Sequence, residues 1–252
     1  MGGAANYQRI HRLADGSMRG VEALVRWNHP SLGAVPPSVF IPIAEVTDVI
    51  LPIGAWVLAT ACQQVATWRE LGLAPDLTVS VNLSARQLQH QDVVAEVADV
   101  LRWSGLPAGA LVLEVTESVL VEDLEAASDH LAGLRRLGVR IAIDDFGTGY
   151  ATLGYLRELP VDILKIDKSF IDDVCAGPER SALARAVVRL GRTVGLSTTA
   201  EGIERPEQLE LLRQIGCDDG QGYLFARPMH PQALHRRLEE AGPVVLAAPS
   251  AS

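Results

Sequence analysis

The chain has 252 residues, 48% of them hydrophobic and 21% charged, a mix that supports a large buried core and excludes a wholly disordered or fibrous chain. Its 22 Lys and Arg against 31 Asp and Glu leave a net charge of −9, which argues against a nucleic-acid polymer as partner, because a duplex needs a basic face to displace its counterions. Three scattered cysteines, Cys62, Cys175 and Cys217, form no C-x-x-C pair and read as reduced thiols of a cytoplasmic protein, and the six histidines form no H-E-x-x-H zinc signature.

In chain order, Met1–Asn6 is expected to be a flexible end, as is the small-residue tail Ala247–Ser252. Tyr7–Leu13 and Met18–Trp27 flank Ala14-Asp15-Gly16-Ser17, the pattern of a β-hairpin. The longest apolar run, Val49–Cys62, contains Pro52 and falls short of the roughly 20 residues that cross a bilayer. It reads as a buried helix, and with no signal pattern at the start no membrane insertion is expected. A syntax then repeats five times: a helical stretch, a glycine, a β-type run, then polar residues. The helix ends are Leu71-Gly72, Ser104-Gly105, Leu137-Gly138, Val194-Gly195 and Ile215-Gly216. The runs that follow include Leu77–Val81, Leu111–Val115, Val139–Ile143 and Leu196–Ala200, with a further one at Val161–Ile166. Pro178 and Pro206 stand where helices begin.

Strands alternating with helices mean βαβ units and a parallel sheet. The stretch Gly147-Thr148-Gly149 has Thr152 where a dinucleotide fingerprint needs glycine, so a closed α/β barrel is favoured over an open sheet, with the hairpin inserting one antiparallel strand. No linker divides the chain, so residues 1–252 read as one domain. Arg135-Arg136 and Arg236-Arg237 read as solvated helix faces.

The polar residues at the strand ends carry the chemistry: Asn82, Glu114 with Glu117, Asp144-Asp145, Lys165 with Asp167, and Glu201, joined by Glu22 and Arg26 of the hairpin. A barrel gathers its C-terminal strand ends on one face, where active sites lie. One acid there is an ordinary cap or turn residue, and a lone lysine an ordinary surface residue. Acids on successive strands repel unless cations intervene, and an oxygen-rich set without Cys or His suits Mg²⁺, Mn²⁺ or Ca²⁺. Adjacent aspartates can bridge two ions, an arrangement suited to in-line displacement at phosphorus.

Glu22-Ala23-Leu24-Val25-Arg26-Trp27 resembles the signature of the EAL-domain family of cyclic-di-GMP phosphodiesterases. Further motifs of that family follow in order: Tyr7-Gln8, Val81-Asn82-Leu83-Ser84-Ala85-Arg86, Glu114-Val115-Thr116-Glu117-Ser118 and Asp144-Asp145-Phe146-Gly147-Thr148-Gly149-Tyr150. After these come Lys165-Ile166-Asp167, Ala200-Glu201-Gly202-Ile203-Glu204 and Gln221-Gly222-Tyr223-Leu224-Phe225, so the resemblance covers nearly the whole chain. It implies a modified (β/α)8 barrel of TIM type that hydrolyses cyclic di-GMP to linear 5′-pGpG, using Mg²⁺ or Mn²⁺, two ions per site, with Ca²⁺ inhibitory. Glu22, Asn82, Glu114 and Asp144 would hold one ion, and Asp144, Asp145 and Glu201 the other. Glu201 would also act as general base, with Glu22 in the catalytic set and Lys165 on the attacking water or the scissile phosphate.

Substrate contacts implied in the same way are Gln8, Val25, Arg26, Asp144, Lys165, Glu204, Arg205, Gln221 and Tyr223. Glu117 would anchor the Asp144–Tyr150 loop, with Asp167 supporting from behind. The resemblance also implies a homodimer, and the stretch before Tyr7, short for the family, leaves two readings: a domain cut from a longer parent with a sensory or GGDEF-type domain, or a true short form. The chain departs from the family at Arg9 (Pro usual), Ala151 (Ser common) and Ala226 (Gly usual). A silent EAL-like receptor is the alternative, though such proteins lose a metal ligand, the lysine or the catalytic glutamate, all present here. A pure protein-interaction module is the remaining reading.

Overall fold

Two long strands, β1 (Gly3–Arg12) and β2 (Met18–His29), pair antiparallel from Gly3↔Trp27 to His11↔Met18. The computed structural model describes residues 3–117, 124–147 and 159–241. Residues 3–6, expected to be a flexible end, therefore belong to β1: each is register-paired with β2, and backbone pairing needs no bulky side chain, which is why so small a sequence gave no strand signal. The tail 247–252, Ser118, Thr148, Gly149, Tyr150, Thr152 and Ala151 lie outside the described residues. In the hairpin turn, Asp15 Oδ1 accepts from Ser17 N at 2.9 Å, and Gly16 takes the left-handed conformation.

A short strand β3 (Gly33–Val35) folds back on the end of β2, and α1 (Pro37–Val46) and α2 (Ile50–Glu70) follow. Then come β4 (Thr78–Asn82), α3 (Ala85–Leu88), α4 (Val93–Ser104), β5 (Leu111–Thr116), α5 (Leu124–Arg136) and β6 (Arg140–Phe146). The chain continues through β7 (Ile163–Ile166), α6 (Lys168–Asp172), α7 (Pro178–Val194), β8 (Ser197–Ala200), α8 (Pro206–Ile215), β9 (Asp219–Gly220) and α9 (Pro231–Ala241). The sheet runs β1-β9-β8-β7-β6-β5-β4-β2-β3 and closes through the β1–β2 pair, giving an eight-stranded barrel with β3 as an appendage. Only β1 is antiparallel to both barrel neighbours, as the hairpin predicts. The five helix-closing glycines are all left-handed, φ between 70° and 93°.

The core lies mainly between barrel and helices. Trp68 of α2 is fully buried and meets the Tyr7 ring edge-on at 5.3 Å, so Tyr7 faces outward and its neighbour Gln8 faces in, level with Glu22. Val57, Leu58, Ala61, Cys62, Val65 and Ala66 bury the rest of the inner face of α2. This is the one described helix long and apolar enough to cross a membrane, and here that apolar face packs on the barrel.

The barrel seam near β9 closes by backbone contact. Ile203 N donates to Gln221 O at 3.0 Å and Leu224 N to Ile203 O at 2.9 Å. A Cβ on Gly222 would stand 2.1 Å from Ile203 O and 2.2 Å from Ile203 N, main-chain atoms that have no rotamer to escape into. Gly222→Ala is therefore expected to lower stability by about 1–3 kcal/mol or more. An unchanged midpoint in a thermal melt would show that this close approach is dispensable.

Candidate metal centre and active site

Each inward-facing strand end contributes one polar side chain at the same level: Glu22 on β2, Asn82 ending β4, Glu114 on β5, Asp144 on β6, Lys165 on β7, Glu201 after β8 and Gln221 after β9. Lys165 is the hub. Its Nζ lies 2.6 Å from Glu114 Oε2, 2.6 Å from Glu201 Oε1, 3.0 Å from Asp144 Oδ1 and 3.8 Å from Glu22 Oε2. Gln221 Nε2 donates to Glu22 Oε2 at 2.6 Å and to Glu201 Oε1 at 2.9 Å, while Asn82 Nδ2 donates to Glu22 Oε1 at 3.0 Å.

Adjacent residues of a regular strand point to opposite faces, so Asp144 and Asp145 should not share a site. The register between β6 and β7 slips between Ile143 and Phe146, and Asp145 takes φ 53°, left-handed for a non-glycine residue. This bulge lets Asp144, Asp145 and Glu201 each offer an oxygen, all within 4.8 Å of one another.

The charges do not cancel locally: Glu22, Glu114, Asp144, Asp145 and Glu201 face one ammonium. Burial pulls the Lys165 pKa down, but Glu114, Glu201, Glu22 and Asp144 outweigh it and hold the ammonium well above its ordinary value. Burial pushes Glu114 well up, partly offset by Lys165. Burial likewise raises Glu201 to about 8 against the pull of Lys165, and it raises Asp145 to about 6 with help from Asp144 and Asp167. Asp144 Oδ1 is buried and near Lys165, yet makes no hydrogen bond of acceptable geometry. An orphaned carboxylate oxygen beside surplus negative charge, with oxygen donors throughout, fits a hard divalent cation.

The other sequence candidates sit around this centre. Glu117 Oε2 accepts from Gly147 N at 2.9 Å and so touches the start of the Asp144–Tyr150 loop. Asp167 caps α6, accepting from Ser169 N at 3.0 Å. Gln8 is the register partner of Glu22, and Arg26 Nη1 donates back to Val25 O at 2.8 Å. Glu204, Arg205 and Tyr223 are not drawn into the cluster. Lys168 holds Glu204, Arg205 Nη2 donates to Asp172 O at 2.6 Å, and the exposed Tyr223 ring lies under Arg227 at 4.2 Å. The partners Lys168 and Arg227 were missed from the sequence: Lys168 and Glu204 are 36 residues apart, and no local spacing marks the pair.

The EAL domain family model matches residues 3–228. The chain is 44% identical over 229 residues to the bifunctional diguanylate cyclase/cyclic di-GMP phosphodiesterase MucR of Pseudomonas aeruginosa, covering 91% of this chain and 33% of MucR. It is 44% identical over 235 residues to the cyclic di-GMP phosphodiesterase NbdA of the same organism, covering 92% of this chain and 30% of NbdA. The chain thus spans about a third of these relatives' length. A solved structure of the PaMucR phosphodiesterase in complex with c-di-GMP superposes with a TM-score of 0.88 at 43% identity, covering 92% of this chain and 94% of that one.

The raised carboxylates give a sign for metal linkage. Glu114 and Glu201 keep protons that the unfolded chain loses near the ordinary carboxylate range. Stability of the metal-free protein is therefore full below that range and declines as pH rises toward the Glu201 value of about 8. Cations compete with those protons, so the rise in melting temperature on adding Mg²⁺ or Mn²⁺ should be small near about pH 5.5 and clearly larger near about pH 8, with apparent affinity gaining up to about tenfold per pH unit for each proton displaced. A pH-independent gain, or none, would refute the cluster as a cation site.

Proposed function

The chain belongs to the EAL domain family, and on that footing we propose that it hydrolyses cyclic di-GMP to linear 5′-pGpG. The observation that carries the reading is the convergence of Glu22, Glu114, Asp144 and Glu201 on Lys165 within 3.8 Å, with Asp145 folded in by the bulge. A receptor that only binds has no need of this complete charged set. Divalent ions, Mg²⁺ or Mn²⁺, when bound supply Lewis-acid polarisation of the phosphate and a more acidic water. Glu22, Asn82, Glu114 and Asp144 would hold one, and Asp144, Asp145 and Glu201 a second.

Glu201 takes the proton from water as its oxygen attacks phosphorus. A positioned carboxylate is suited to this role, and burial raises its basicity above that of an ordinary glutamate in the metal-free site. Lys165 stays protonated, so it donates to the water or to a phosphate oxygen and steadies the negative charge that develops there. The P–O3′ bond breaks, the ribose 3′-oxygen takes a proton from solvent water as it leaves, Glu201 returns its own proton to solvent, and the phosphate, now carrying the attacking water's oxygen, stays on the 5′ side. Gln221 holds Glu22 and Glu201 at one spacing. Gln8, Val25, Arg26, Glu204, Arg205 and Tyr223 are assigned to the nucleotide, Arg26 to phosphate by charge-assisted hydrogen bonds. The proposal includes a homodimer and a sensory or GGDEF-type neighbour in a longer chain, the latter supported by relatives of which this domain covers about a third.

Incubating the chain with cyclic di-GMP and Mg²⁺ or Mn²⁺ should give pGpG nearly one-for-one with substrate lost, read by chromatography. Chelator should abolish turnover and Ca²⁺ should depress it. Glu201→Gln should lower kcat by about 10²–10⁴-fold with far less effect on KM. No product, or GMP released as fast as pGpG, would reject the reading.

Glu117 offers a separate test. Its bond to Gly147 N ties the loop that follows the paired aspartates. Glu117→Ala should lower kcat while the circular-dichroism melt stays cooperative, and unchanged kinetics would remove the anchoring role.

A further inference from the structure

The end of the barrel opposite the carboxylate cluster holds a cavity of about 430 Å³. Its walls are the hairpin turn at Ala14, the start of β8 at Ser197, the entry to β9 at Cys217, Asp218 and Asp219, and four arginines: Arg12, Arg19, Arg192 and Arg213. We propose that this cavity binds a small phosphate-bearing anion, a diphosphate or mononucleotide, through those four guanidinium groups.

The arginines are fixed but not used up. Arg192 Nη2 donates to Gly216 O at 2.8 Å, and Arg213 Nε donates to Leu13 O at 2.6 Å. Each thereby commits one of five donors to the main chain and is held in one orientation. Arg19 reaches Asp219 only at 3.9 Å, and Arg12 meets Asp15 at 3.3 Å. Of the two acids in the wall, Asp218 Oδ2 is occupied by Thr198 N and Oγ1 at 2.8 and 2.9 Å. Arg140, at the start of β6, adds a further guanidinium nearby whose buried Nε has no partner. Burial and the like charge of Arg19 lower the Arg140 pKa, partly offset by Asp162 and Asp219.

In a chain of net charge −9, four arginines against Asp218 and Asp219 in the wall and Asp15 beside Arg12 leave a local positive excess. Planar guanidinium forks match phosphate oxygens in pairs, and a cavity of this size takes a diphosphate or a mononucleotide. Nothing in this argument depends on the metal centre.

The test is calorimetric titration of inorganic pyrophosphate into the metal-stripped full chain, with citrate as the carboxylate counterpart. Saturable one-to-one binding is expected, weaker for citrate. Arg19→Gln and Arg192→Gln should each weaken pyrophosphate binding about tenfold or more, and Glu22→Gln at the opposite face should leave it unchanged. Arg19 has only its long contact to Asp219, so that variant is not at risk of misfolding and keeps the test decisive if Arg192→Gln unfolds. No saturable binding, equal affinity for citrate, or affinity indifferent to both arginine substitutions would overturn the site.

Discussion

An ammonium buried among carboxylates organises the mouth of this barrel. Lys165 is only 2% exposed, and desolvating an isolated ammonium costs several kcal/mol. It stays charged because Glu22, Glu114, Asp144 and Glu201 reach it from strands or strand ends other than its own. Those acids in turn could not sit at one level without it. The dependence is mutual, and it leaves a remainder of negative charge that only protons or cations can relieve. The raised pKa of Glu201 comes first from burial and then from Asp144 and Glu22 beside it, against the pull of Lys165.

Much of this was legible in the chain itself, because parallel barrels write their topology in repeats. The glycines that close five helices and the acids that end the strands mark where each unit turns and where its functional residue falls. What escaped has physical reasons. β9 is two residues long and β3 three, too short for any period to register. Residues 3–6 carry almost no side chain, yet strand pairing is made by the backbone. α1 has two prolines and an apolar composition without a clean polar face. The bulge at Asp144-Asp145 is the most consequential omission: paired aspartates were readable as a metal motif, but a flat strand would have sent the second carboxylate out of the barrel.

Two departures from the family pattern resolve into local structure. Arg9 turns outward and donates through Nη2 to Phe225 O at 2.7 Å, tying β1 to the segment after Gln221, a bond that proline could not make. Ala226 is absent from the left-handed residues, so a Cβ is tolerated where glycine is usual. The rim residues resist such reading. Glu204, Arg205 and Tyr223 satisfy themselves on Lys168, the Asp172 carbonyl and Arg227, so engaging a nucleotide requires exchanging internal partners for phosphate or base. That exchange is a reason for modest contributions from each.

The two ends of the barrel are linked by the shortest strands in it. Asp219, in the wall of the arginine-lined cavity, and Gln221, bonded to Glu22 and Glu201, are two residues apart and so lie on the same side of the β9 ladder. Gln221 N extends that ladder to Ala200 O at 2.8 Å, and β8 carries Ser197 in the cavity wall and leads to Glu201 four residues on. A barrel of eight longer strands would insulate its faces with several layers of side chains. Along β8 one inward level, that of Thr199, separates the cavity wall at Ser197 from Glu201.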